Sequence, residues 1–110
     1  MYGASKAAVI GFTRNIATQY GKQGVRCVSI SPGVILTPAL KANISKEEVA
    51  RLIKHGLLSR AGETHDIAHL VAFLLSDEAA FITGIDIAVD GGMTAHFPTF
   101  ADEMDARARA

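Results

Sequence analysis

A chain of 110 residues, 49% apolar and 20% charged, has the composition of one globular domain and not of a disordered segment. Its 11 basic and 11 acidic side chains cancel and form no basic run, which argues against a nucleic-acid partner. No apolar run approaches the ~20 residues a bilayer crossing needs, no signal-peptide pattern opens the chain, and one cysteine excludes an internal disulfide, so a cytoplasmic setting is expected.

Residues 3 to 20 carry a helical pattern, with Val9, Phe12, Ile16 and Tyr20 recurring at spacings of three and four and Gly21 as the expected stop. Ala4, Ala7, Ala8 and Gly11 form a second, small-residue stripe suited to close backbone approach. Val25 to Ser31 is a short β-branched run between Gly24 and Pro32-Gly33, and reads as a strand with Cys27 inside it. The following PGVILTPALKAN is expected to be a loop, because its prolines oppose a regular element. Ser45 and Glu48 form a capping box for a short helix through Val49, Leu52 and Ile53, ending near His55-Gly56. A further helix is expected from about Thr64 to Ser76, with Ile67, Leu70, Val71 and Leu74 on one face. Ile85 to Val89 alternates and closes in Asp90-Gly91-Gly92, as a strand entering a turn does. ADEMDARARA is charged and is expected to be a frayed helix or tail. Helix, strand, helices, strand is an α/β order with two parallel strands, and such a pair wants more strands beside it.

The sharpest chemical signal is Tyr2 and Lys6, four residues apart and therefore on one helical face. An ammonium beside a phenol favours the phenolate, which suits a tyrosine to general acid/base work on a hydroxyl or carbonyl. Taken alone, the pair is weak evidence, because in an arbitrary helix it describes a solvated lysine beside a partly packed tyrosine. The second signal is ISPGVILTP, which puts Pro32-Gly33 at the end of a strand, where open α/β sheets form their ligand crevice. Gly33 admits close approach to the backbone and Thr37 offers a hydroxyl. His65 and His69, near Glu63 and Asp66, have the spacing of a metal pair but no further cluster to complete a site, so no metal is expected. His55 and His96 stand apart and are expected to be exposed. The apolar MTAHFPTF segment packs either locally or on a neighbouring subunit.

YGASKAAVIGFTRNIATQYGKQGVRCVSISPGVILTP resembles the catalytic-helix and strand-loop segment of the short-chain dehydrogenase/reductase family, and LLSRAGETHDIAHLVAFLLSDEAAFITGIDIAVDGG resembles that family's last helix and strand. The resemblance runs from Tyr2 to about Gly92. It implies the C-terminal part of a doubly wound, parallel-sheet, Rossmann-like α/β fold, represented here by about three helices and two parallel strands. It also implies an NAD(P)-dependent oxidoreductase acting on a small-molecule carbonyl or alcohol. Tyr2 matches the proton donor and acceptor, and Lys6 the residue that favours its phenolate and holds the nicotinamide ribose. Pro32, Gly33, Val34, Ile35 and Thr37 match the loop against the nicotinamide, with Ile35 at the carboxamide and Thr37 at the amide or pyrophosphate. Leu36 to about Leu58 match the variable lid over the substrate, and Arg60-Ala61-Gly62-Glu63 a turn that anchors the last helix.

The same family carries a glycine-rich pyrophosphate turn and a serine about a dozen residues before the tyrosine, and neither motif occurs in these 110 residues. Residues 1–92 are therefore expected to be the C-terminal portion of such a domain, starting at its catalytic tyrosine, with 93–110 as a tail. Loss of one carbonyl-polarising donor typically costs ~10²–10³ in rate, so weak or absent turnover is expected of the isolated chain. The competing expectation is a non-catalytic fragment that oligomerises: the edge of the Val25–Ser31 strand is unpaired, and the last strand and helix resemble the surface through which members associate. A homo-oligomer is expected on either reading.

Overall fold

The computed structural model describes residues 1–95 and 97–110. They form α1 (Tyr2–Tyr20), β1 (Ser29–Pro32), α2 (Pro38–Asn43), α3 (Lys46–Ile53), α4 (Thr64–Leu75), β2 (Asp86–Val89) and α5 (Phe100–Arg109). Single 3₁₀ turns at Gly21–Gln23 and Asp77–Ala79 complete the order. The expected α/β class holds, with five helices in place of about three. The chain divides into two compact units, Met1–Ser31 with Ile67–Ala88, and Pro32–Asp66 with Val89–Ala110.

In the first unit, α1 turns Ile10, Thr13, Ile16 and Ala17 inward, at helical spacing, and Thr13 is buried with its hydroxyl donating to the Val9 carbonyl at 2.9 Å. The sequence placed Val9, Phe12 and Tyr20 with Ile16 on the packed face, yet Val9 is 54% and Phe12 64% exposed. The helix is apolar on two faces, and the residues described here cover one. The small-residue stripe likewise meets nothing at Gly11, where an added Cβ would have no neighbour within 4 Å. Gly21 does not stop the helix: its φ of −57° is helical, and the reversal falls at Gly24, φ +82°. Gly24 N–H returns to the Gly21 carbonyl and Val25 N–H to that of Tyr20, the paired bonds of a Schellman motif, with glycine at the left-handed position.

The two strands pair in parallel: Ser29 N–H donates to the Ile85 carbonyl at 3.1 Å, and Gly33 N–H to that of Val89 at 2.9 Å. β1 is shorter than the expected Val25–Ser31 because the segment opposite Cys27 is a turn. There Thr83 Oγ1 replaces a backbone acceptor for the Cys27 N–H, and Gly84 N–H closes on the Cys27 carbonyl. Cys27 is half-buried, less enclosed than its apolar run implied. Between the strands, Asp86 accepts from the hydroxyls of Ser29 at 2.6 Å and Ser31 at 2.8 Å, so the buried Ser29 keeps its hydrogen bond. Arg26 ties this region to the end of α4, donating to the Leu74 carbonyl at 2.8 Å and the Ile82 carbonyl at 3.4 Å. Leu74 is the buried member of the α4 face, while Val71 is 37% exposed.

In the second unit, PALKAN is a helix. Pro38 sits at its first turn, where its missing N–H is not needed, and Thr37 caps it by accepting from the Leu40 N–H at 3.2 Å. Proline's helix-breaking rule misleads here because it applies to helix interiors. α3 has the predicted capping box: Ser45 Oγ accepts from the Glu48 N–H at 3.1 Å, and Glu48 accepts from the Ser45 N–H at 3.2 Å. The C-terminal segment is a ten-residue helix, with Ala101 buried and Asp105 paired to Lys54 at 2.7 Å.

Among the described residues the buried apolar side chains are Ala61, Leu74, Ala79 and Ala101, so the core is thin. No helix among them is long and apolar enough to cross a membrane. With so little burial, single polar ties carry weight. Replacing Arg26 by Met leaves a terminal carbonyl of α4 without its charged donor, and the expected cost is about 1–3 kcal/mol in denaturant unfolding. A change within about 0.5 kcal/mol, the range of ordinary surface substitutions, would contradict this role.

Candidate active site

In the first unit, Tyr2 opens α1 and Lys6 follows one turn later, so both project from one face. The Lys6 Nζ lies 5.3 Å from the centre of the Tyr2 ring, within cation–π range. Tyr2 is 77% exposed. Its ring is accessible to a solute, and its neighbour on the helix is a cation. Ser5 stands between them in sequence, with its hydroxyl donating to the Tyr2 carbonyl at 2.7 Å, which secures the first turn where Met1 offers no side-chain cap.

In the second unit, Pro32 to Thr37 leaves the end of β1. Gly33 passes so close to the other strand's exit that an added Cβ would lie 2.7 Å from the Asp90 Cα. Only a glycine fits. Beyond it, Ile35 forms a parallel bridge with Gly62: Leu36 N–H donates to the Gly62 carbonyl and Gly62 N–H to that of Val34, both at 2.8 Å. In such a bridge the central residue's own N–H and C=O point to the opposite side. The Ile35 carbonyl accepts from the Thr37 N–H at 3.0 Å, and among the described residues its N–H has no backbone acceptor. Thr37 Oγ1 is engaged as a helix cap, and its hydroxyl proton remains available to donate.

Two carboxylates hold the surroundings. Asp66 receives both guanidinium nitrogens of Arg60, at 2.7 and 3.0 Å, and the Glu63 N–H at 2.7 Å. The Arg60 bonds first, and then the Glu63 amide, hold the Asp66 carboxyl well below the usual carboxylate range. Asp90 receives the Thr94 hydroxyl at 2.7 Å and the amides of Gly92 and Thr94 at 2.9 and 3.2 Å. These bonds, that of the hydroxyl foremost, lower its carboxyl too. A cavity of about 180 Å³ lies among Val34, Ile35, Leu58, Arg60, Gly62 and Asp90. An open, apolar groove of about 440 Å³ runs over α2 and α3, lined by Leu36, Ile44, Val49 and Ile53 with Lys41 and Lys46 beside it.

The sequence-assigned residues thus fall into two groups. Tyr2 and Lys6 are together in the first unit, and Pro32, Gly33, Val34, Ile35 and Thr37 are together in the second. Of the histidines, His55, His65 and His69 are exposed, and His96 lies outside the described residues. His65 Nε2 lies 3.9 Å from Asp66 Oδ1, a carboxylate already engaged by Arg60.

A family profile described as enoyl-(acyl carrier protein) reductase matches residues 1–94. A probable short-chain type dehydrogenase/reductase of Bradyrhizobium diazoefficiens is 50% identical over 107 residues, covering 97% of this chain and 38% of its own length. The chain belongs to the short-chain dehydrogenase/reductase family. A solved 4-hydroxyisoleucine dehydrogenase mutant, complexed with NADH and succinate, superposes on this short-chain dehydrogenase/reductase chain with a TM-score of 0.79 at 42% identity, over 86% of this chain and 40% of that one. A blue fluorescent protein from a metagenomic library, in complex with NADPH, gives 0.78 at 37% identity, over 86% and 38%. The chain therefore spans about two-fifths of the length of the proteins it matches.

Sequence reasoning placed a turn at Asp90-Gly91-Gly92 of this short-chain dehydrogenase/reductase chain but found neither the Gly62 bridge nor the capping of that turn by the Asp90 carboxylate. The bridge left no signal, because one pair of residues has no periodicity. The turn did: an aspartate two residues before a glycine, with a threonine following, is the pattern of a carboxylate capping its own downstream amides. Because the Asp66 carboxyl is depressed in the folded chain, its stabilisation is present above the unfolded value of about 3.9 and is lost as pH falls through the folded value. The stability difference between wild type and Asp66→Asn should hold steady between about pH 7 and 5 and shrink below about pH 4. Urea unfolding at each pH reads it, and a difference that persists undiminished at acid pH would contradict the assignment.

Proposed function

We propose that this chain serves the NAD(P)-dependent interconversion of a small-molecule carbonyl and its alcohol, with Tyr2 as the proton donor and acceptor. The observation that carries this reading is the exposed Tyr2 ring with the Lys6 ammonium 5.3 Å from its centre, one turn along the same helix. Tyr2 gives its hydroxyl proton to the carbonyl oxygen or takes one from the alcohol, with the Lys6 cation beside its ring. Lys6 has donors left to hold ribose hydroxyls.

The second unit's loop fits the nicotinamide end of a dinucleotide. The outward Ile35 N–H is a donor for the carboxamide oxygen, and the Thr37 hydroxyl is a donor for the amide or pyrophosphate. Pro32, Gly33 and Val34 are the backbone on which the nicotinamide ring would lie. When bound, NAD or NADP supplies or accepts the hydride. Both NADH and NADPH complexes occur among the structural relatives, so either cofactor is compatible with the family. Residues 1–92 form the part of the family's domain that carries these groups, with 93–110 following it. The half-buried free thiol of Cys27 suits a reducing, cytoplasmic setting.

The glycine-rich turn and the serine of the family are not within these 110 residues, so we place the turnover of the residues as they stand at weak to none. NAD(P)H oxidation is measured with a panel of ketones, with and without a polypeptide carrying a relative's glycine-rich half. Turnover is expected in the mixture, and Tyr2→Phe should reduce it by about 10²–10⁴-fold. Folded protein inactive in both mixtures, or a Tyr2→Phe variant as fast as wild type, would overturn the reading.

A second reading, an oligomerising module without catalysis, is favoured by the exposure of Val9, Phe12 and Phe81 at 54%, 64% and 101%, and by β1, whose one described partner is β2. Self-association is expected on this reading and compatible with the first. Light scattering across micromolar concentrations should show a dimer or larger species, and a monodisperse monomer would remove it.

A further inference from the structure

The outward Ile35 amide depends on a residue that cannot hold itself. Gly62 has no side chain, its backbone is intrinsically free, and yet it supplies both rungs of the bridge that turns Ile35 outward. Its neighbours are fixed by one ion pair. Arg60 grips both oxygens of Asp66 and also donates to the Ala61 carbonyl at 3.0 Å. Asp66, in the first turn of α4, reaches back to the Glu63 N–H at 2.7 Å. Residues 60, 61, 63 and 66 are thereby tied together around Gly62, and Ala61 is 8% exposed. The two residues also pack closely: a Cβ on Gly62 would meet the end of the Ile35 side chain, which would have to move.

We propose that Arg60 and Asp66 are positioning residues for the nicotinamide loop: their pair fixes Gly62, and Gly62 in turn aims the Ile35 N–H at the carboxamide. The pair touches neither substrate nor cofactor. It works two steps away, by holding the register of a bridge whose two hydrogen bonds have no neighbouring rungs to support them. An isolated bridge closes few backbone groups, so its population depends on how rigidly each side is presented. The planar guanidinium fork supplies that rigidity, because a bidentate pair fixes orientation as well as distance. This inference rests on the oxidoreductase reading above for the identity of the loop's ligand, and on geometry alone for the latch.

The test is residue-resolved amide exchange on the full 110-residue chain. Arg60→Ala should accelerate exchange at Leu36 and Gly62 by about tenfold or more, while the amides of α3, such as Val49, exchange as in wild type. Arg60→Lys keeps the charge and loses the fork, and should fall between the two. Unchanged exchange at Leu36 and Gly62 overturns the proposal. Equal loss of protection in α3, in Arg60→Ala and Arg60→Lys alike, also overturns it, since the pair would then be a general brace. In parallel, with a polypeptide carrying a relative's glycine-rich half present, millimolar NADH should shift the Ile35 amide resonance of wild type more than that of Arg60→Ala. A wild-type amide that NADH leaves unmoved refutes the carboxamide role of Ile35 and with it the positioning claim, while the exchange result still decides the latch.

Discussion

The parallel pairing at the ends of two four-residue strands fixes where the loop from Pro32 begins. Ser29 with Ile85 and Gly33 with Val89 fix a register in which both strands end together, and both exits bend at once. Gly33 turns away beside Asp90 at a separation that excludes any side chain, and Asp90 closes its own turn by capping Gly92 and Thr94. The loop from Pro32 to Thr37 therefore starts from a point fixed by backbone packing. Its far end is fixed by Thr37, which caps α2. Between these anchors one bridge, Ile35 with Gly62, decides which way the peptide faces.

Much of this was legible in the sequence where a pattern repeats. The α3 capping box needs a serine and a glutamate three apart, and both bonds are present. Tyr2 and Lys6 needed only the helical period to be placed together. The family resemblance, which draws on many residues at once, is supported by a profile match over residues 1–94. Elements defined by a single contact were not legible. Pro38 reads as a breaker until its position at the first turn of α2 is known, and Gly24 and Gly21 are equivalent in sequence although one is left-handed and the other helical.

The inward face of α1 was misread for a further reason. Both Val9–Phe12 and Ile10–Thr13–Ile16 are compatible with a 3.6-residue repeat, and periodicity does not say which face finds a partner. The one that packs carries a threonine whose hydroxyl is satisfied within the helix. The other carries a phenylalanine left 64% exposed. A thin core with large apolar side chains at its surface, in a chain spanning about two-fifths of its relatives' length, is the physical counterpart of the two functional readings. The residues that match the family's catalytic helix and strand-loop are present, and its glycine-rich turn is not among these 110 residues.

On the proposed oxidoreductase reading, a proton-transferring tyrosine and a carboxamide donor would give direction to a nicotinamide but little affinity for the whole dinucleotide. Calorimetric titration of NADH and NADPH into the 110-residue chain, alone and with a polypeptide carrying a glycine-rich turn, addresses it directly. The account predicts no tight stoichiometric uptake by the chain alone and one equivalent taken up by the mixture. Tight one-to-one binding to the chain by itself, or none in either case, would contradict it.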